Sequence, residues 1–137
     1  MHRGVISVSE VYDAANKLAD KIRQSEEFLS YKKAREEVLA NPELKTRIEE
    51  FEKIRYDVQV LSMEKGKADS EKMQKLQDLY TILVENKDIK EYFELEVKFN
   101  VMVADVNKII AESMQEIFAK WKAISSPIRR GVFLFFS

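Results

Sequence analysis

A chain of 137 residues, 45% of them apolar, is long enough for one domain with a real core. Lys plus Arg and Asp plus Glu nearly cancel, for a formal charge of −1, so a generic polyanion binder with one concentrated basic face is disfavoured. With no cysteine there is no disulfide, thiolate metal site or Cys nucleophile, and three Gly and two Pro leave few of the punctuators that short strands and tight turns need.

The composition therefore predicts an all-α protein, a bundle of about five long helices in antiparallel hairpins. Ser9 is placed to cap a first helix near 10–24, in which Val11, Ala15, Leu18 and Ile22 fall on one face. The pattern restarts at Ser25-Glu26-Glu27, with Phe28, Tyr31, Ala34 or Arg35, and Val38 on the new face. One continuous helix or two, the second near 27–40, both satisfy this stretch.

Asn41-Pro42-Glu43 is the clearest helix start. Asn accepts bonds from free backbone N–H groups, Pro at the first helical position forfeits none, and Glu suits the dipole. The stripe Leu44, Ile48, Phe51, Ile54, Val58 and Leu61 runs to Gly66, the expected left-handed stop, giving a helix near 42–65. After a short connection, Asp69 or Ser70 caps a helix near 70–85 carrying Met73, Leu76, Tyr80 and Leu83, so that 42–85 forms a helical hairpin.

Asn86-Lys87-Asp88-Ile89-Lys90 repeats the grammar of Asn41-Pro42-Glu43-Leu44-Lys45. This is either a duplicated helical unit or one good cap used twice. From Ile89 the apolar period continues through Phe93, Phe99, Val103, Val106, Ile110, Met114, Ile117, Trp121 and Ile124, predicting a last helix near 88–124. Its length would be roughly 55 Å at 1.5 Å per residue, against about 37 Å for the diameter of a compact chain of this size. A second chain or an elongated shape has to cover the excess. Phe99, Val103, Val106, Ile110, Ile117 and Trp121 are accordingly the candidate interface of a homodimer. The chain then reads as one domain over 1–137, a helical body at 9–125 followed by an irregular apolar tail at 126–137. In that tail Arg129-Arg130-Gly131 precedes Val132 to Phe136, either a docking or membrane-surface segment or a tail folded back on the helices.

The single histidine, His2, rules out Ser-His-Asp triads and the Glu-x-x-His pairs of di-iron bundles, and there is no Gly-rich phosphate loop. Glu91 with Glu94, and Glu49 with Glu52, sit at helical spacing, as expected for solvated faces. Lys32, Lys33 and Arg35 form a small basic cluster beside Tyr31, diluted by Glu36 and Glu37; it is the candidate RNA contact. No stretch approaches the roughly 18 apolar residues of a membrane span, and the N-terminus is too short in apolar residues for a signal core, so a cytoplasmic location is expected. No catalytic residues, metal or cofactor are expected.

Several strings taken together resemble the YlbF/YmcA family of small bacterial helical proteins, in particular its YheA-like branch. They are Val11-Tyr12-Asp13-Ala14-Ala15-Asn16-Lys17-Leu18, then Ser25-Glu26-Glu27-Phe28 leading into Tyr31-Lys32 and Ala34, then Asn41-Pro42-Glu43-Leu44 with Phe51, and finally the Asn86 cap and the long last helix. The resemblance spans about residues 10 to 115. It implies an all-helical fold of long hairpins that commonly self-associates. It also implies kinship with accessory factors of a complex that influences ribonuclease Y, messenger RNA processing, competence, biofilm formation and sporulation. Some of those relatives hold iron–sulfur clusters through cysteines; this chain has none to offer. The expected function is a non-catalytic regulatory or adaptor protein that binds protein partners through helix faces, with an RNA-binding accessory module as the alternative.

Overall fold

The computed structural model describes residues 4–66 and 69–117, and every regular element among them is helical. Five α-helices follow one another: α1 (Val8–Gln24), α2 (Glu26–Leu39), α3 (Pro42–Lys65), α4 (Ser70–Leu83) and α5 (Lys87–Ser113). No helix is long and apolar enough to cross a membrane, among the described residues.

The start of α1 corrects the expectation at Ser9. Ser7 is the cap, in extended backbone, and the Glu10 carboxylate accepts its N–H at 3.1 Å. Ser7 and Glu10 have the spacing of a capping box, which moves the helix start two residues upstream. Ser25 settles the question left open for residues 9–40. Its backbone is extended (φ −71°, ψ 151°), its hydroxyl donates to the Ile22 carbonyl at 2.6 Å and accepts from the Phe28 N–H at 3.2 Å. One side chain thus closes one helix and opens the next, and there are two.

Asn41 and Asn86 cap α3 and α5 in the same way. Asn41 Oδ1 accepts from Glu43 and Leu44 at 3.0 and 3.3 Å, and Asn86 Oδ1 from Asp88 and Ile89 at 2.9 and 3.2 Å. Gly66 ends α3 at φ 66°, conformation a side chain would resist, and its N–H bonds the Ser62 carbonyl. Asp69 rather than Ser70 caps α4.

The last helix is interrupted within its apolar period. It ends at Ser113, and Met114 leaves the helical region (φ −104°, ψ 2°) before one further turn at 115–117. The Ser113 hydroxyl bonds the Ile110 carbonyl at 2.6 Å, a local bond that competes with the helical ladder. Among the described residues the side chains flanking this point are open: Ile109 is 69% and Ile117 75% exposed. The expected continuation to 124 and the tail at 126–137 lie outside the described residues, as do Lys67 and His2.

The helices pack as antiparallel pairs. The broadest contact is α2 on α5, followed by the α3–α4 hairpin and by α2 on α3, while α1 packs chiefly on α2. The core gathers Val38, Ile48, Phe51, Leu83, Ile89, Tyr92 and Phe93. Phe51, Tyr80 and Phe93 form an aromatic cluster with centroids 5.2–6.2 Å apart, within the range in which rings attract. Helix α1 contributes no fully buried side chain.

Candidate functional site

Two features stand out above the core, one polar and one apolar. The polar one lies where α2, α3 and α5 meet. Glu96 of α5, only 9% exposed, accepts from Arg55 Nη1 at 2.8 Å and Nη2 at 3.4 Å, and from the Tyr31 hydroxyl at 3.1 Å. Alongside, Arg35 Nη1 donates to Glu52 at 2.8 Å and to the Tyr92 hydroxyl at 2.5 Å. Tyr31 stacks on Tyr92, with centroids 5.5 Å apart, and joins the two halves. Arg55 also lies over the Phe51 ring, 5.3 Å from its centroid.

The electrostatics follow from burial and pairing. Burial pushes the Tyr31 hydroxyl far above its ordinary range, and its contact with Tyr92 and the Glu96 charge add to this. Burial raises Tyr92 as well, with the Arg35 charge pulling the other way. The bond to Glu52 strengthens the hold of Arg35 on its proton. For Arg55, burial favours the neutral form, but the Glu96 carboxylate outweighs it and the net shift is upward. Every charged group here faces an opposite charge, and the arrangement ties three helices together rather than presenting a reactive group to solvent.

The apolar feature is the far end of α5 and the near end of α1. Of the candidate interface residues, Phe99, Val103 and Val106 are half-buried, and Phe99 stacks against Tyr31 and Phe28 of α2. Ile110 (46%) and Ile117 (75%) are exposed, and Trp121 lies outside the described residues. The stripe is thus divided: Phe99 packs on α2 within the chain, Val103 and Val106 are half-buried, and Ile110 and Ile117 stand open. On α1, Val8, Val11 and Tyr12 are 63%, 51% and 63% exposed.

The basic cluster is also divided. Lys32 and Lys33 are exposed, whereas Arg35 turns towards Glu52 and Tyr92. Glu91 and Glu94 are exposed; Glu49 is exposed beside Lys45 at 3.9 Å, while Glu52 pairs with Arg35. Among the described residues, no three His, Asp or Glu side chains converge as a metal site would require.

The polar network was not anticipated from the sequence, yet a signal for it exists. The apolar period of α5 steps from Phe93 to Phe99, and Glu96 occupies the intervening core-facing position. A carboxylate inside an apolar stripe demands a buried partner.

A family model described as "Control of competence regulator ComK, YlbF/YmcA" matches residues 11–115, from within α1 to just past the end of α5. The chain is also similar to curated proteins from several bacteria. A UPF0342 protein of Caldicellulosiruptor bescii is 34% identical over 105 residues, 77% of this chain and 88% of that protein. One of Alkalihalophilus pseudofirmus is 32% identical over 111 residues, 81% of this chain and 94% of its own length. One of Clostridium novyi is 32% identical over 112 residues, 82% and 98% respectively.

Proposed function

The chain belongs to the YlbF/YmcA family, and from that premise we propose that it is a non-catalytic regulatory adaptor. It works in the cytoplasm by binding protein partners, a second copy of itself among them, through exposed helix faces. The regulatory setting takes its support from the family's description as a control of a competence regulator.

The observation that carries the reading is the open apolar surface on the ends of α1 and α5. Soluble chains rarely leave contiguous apolar side chains in water unless something docks on them. The polar network adds support of another kind, because its charged groups are spent on one another and brace the body that presents those ends.

The test is capture of partners by the full chain from a bacterial lysate, compared with an Ile109→Asp variant carrying one charge in the open face. Recovery of a defined partner set by the wild type, lost in the variant, supports the reading. Equal recovery by both overturns the role given to this face. Retention of RNA that falls steeply with salt would favour the RNA-binding module instead.

A further inference from the structure

Helices α4 and α5 follow one another in the chain yet share no broad contact, although the rings of Tyr80 and Phe93 stack at 5.5 Å. A cleft of about 230 Å³ opens between them, with Phe51 and Arg55 of α3 as its floor and Tyr80, Val84, Phe93 and Val97 in its walls. The charges around it are balanced. Arg55 is held by Glu96, and the rim adds one cation, Lys90, and one anion, Glu94. The cleft therefore selects by apolar contact and not by charge. Helical spacing carries its apolar walls further: Met73 precedes Tyr80 by two turns on α4, and Val101 follows Val97 by one turn on α5. Met73 is 46%, Tyr80 42%, Val97 60% and Val101 54% exposed, so the groove is open along its length.

We propose that the chain covers this groove with its own apolar run, Val132-Phe133-Leu134-Phe135-Phe136. The proposal stands apart from the adaptor reading, which rests on the ends of α1 and α5. Length supports it. The α4 wall from Met73 to Val84 is roughly 17 Å long at 1.5 Å per residue, and five extended residues span roughly 16–18 Å. Composition supports it as well. The run brings three phenylalanine rings, each with roughly 150–250 Å² to bury, to a floor and walls built around Phe51, Tyr80 and Phe93. It carries no charge that would need a partner inside the groove. The run lies beyond the residues that match the family, so this cover belongs to this chain and is not carried over from its relatives.

Reach sets one condition. The near end of the groove, at Val101, lies roughly 24 Å back along the chain from Ile117, and residues 118–131 span up to roughly 46–50 Å when extended. A helix running straight on to 124 would add roughly 10 Å and leave only residues 125–131, at most about 25 Å of chain, to cover about 35 Å. Docking therefore requires the chain to turn back before 124. The break in α5 at Met114 (φ −104°, ψ 2°) is a point at which its direction can change.

Thiol protection in the full chain tests the proposal, since the sequence has no native cysteine. Val97→Cys places a lone thiol on the groove wall, and Ile82→Cys places one on the other side of α4, where Ile82 is 53% exposed. Each is alkylated in a chain with the native tail and in one carrying Phe133→Asp and Phe135→Asp. The charged tail leaves every core residue in place, and far-ultraviolet circular dichroism checks that the body stays helical. With the native tail the Val97→Cys thiol should react roughly tenfold or more slowly than with the charged tail, whereas the Ile82→Cys thiol should react equally fast with both. Equal rates for Val97→Cys with the two tails would overturn the proposal. Protection of Ile110→Cys in its place would also overturn it, by putting the tail on the open end of α5. So would protection of Val97→Cys that fades on dilution, because the cover would then come from another copy. The adaptor reading is unaffected by any of these outcomes and is decided by the capture experiment alone.

Discussion

Truncating Glu96 to alanine takes away the acceptor that Arg55 holds at 2.8 and 3.4 Å and Tyr31 at 3.1 Å. Breaking a buried ion pair from one side costs about 3–5 kcal/mol, because the remaining charge stays desolvated. Here the Arg55 side chain keeps 35% of its exposure, so water recovers part of that loss and about 2–3 kcal/mol is expected. Against a total of about 5–15 kcal/mol for a domain, such a loss moves a urea midpoint visibly. Glu96→Gln keeps an acceptor for Tyr31 and should cost about 1–2 kcal/mol. The double variant Arg55→Met, Glu96→Leu should regain most of the loss, since replacing both partners by apolar groups leaves no stranded charge. Urea unfolding followed by far-ultraviolet circular dichroism measures all three. A Glu96→Ala cost within about 0.5 kcal/mol of the exposed control Glu91→Ala would refute the network.

Phe51→Ala, at a ring 5% exposed and shared with Tyr80 and Phe93, should cost about 3–5 kcal/mol; an unchanged midpoint would show the ring is not buried. Asn86→Ala removes the Oδ1 that accepts from the Asp88 and Ile89 N–H groups at the head of α5 and should cost about 1 kcal/mol, whereas Asn86→Ser should retain most of that stability. Both network tyrosines hold their protons more tightly folded than unfolded, from an ordinary value of 10.0. Their contribution is therefore complete below about pH 10 and declines as pH rises beyond it, because the unfolded chain ionises first. Stability measured from pH 8 to 11 should fall only in the upper part of that range, and the fall should shrink in Tyr31→Phe. A loss already complete by pH 9 would contradict the assignment.

What the sequence reveals here depends on how local the cause is. The caps at Asn41, Asn86 and Asp69 and the glycine stop at Gly66 act within a few residues, so their chemistry is visible in the string itself. Ser7 with Glu10 is equally local, and only the nearer Ser9 obscured it. The body is legible for the same reason, since Ile48, Phe51, Ile89 and Phe93 follow helical spacing into the core. The polar network is different in kind. Tyr31 and Glu96 are 65 positions apart, Arg35 and Tyr92 57, and Arg55 and Glu96 41. Which acid meets which base is decided by how α2, α3 and α5 pack, not by spacing along any one of them. The end of α5 is the reverse case. Its period runs on past Ser113, yet the ladder breaks at Met114 among exposed side chains, because a periodic face without close packing does not by itself hold a helix unbroken.

The attachment of α1 has a consequence for how the chain ages in a cell. A helix packed lightly on α2, with Leu18 and Ile22 only half-buried and no side chain locked in the core, opens more readily than the rest unfolds. In an isolated copy its amides should exchange with solvent long before those of α3 and α5, and proteases should nick it first. Anything that docks on it suppresses that opening by mass action, and the suppression scales with the concentration of what docks. The lifetime of the N-terminal segment then becomes a gauge of occupancy: uncovered chains are trimmed first, and covered ones persist intact.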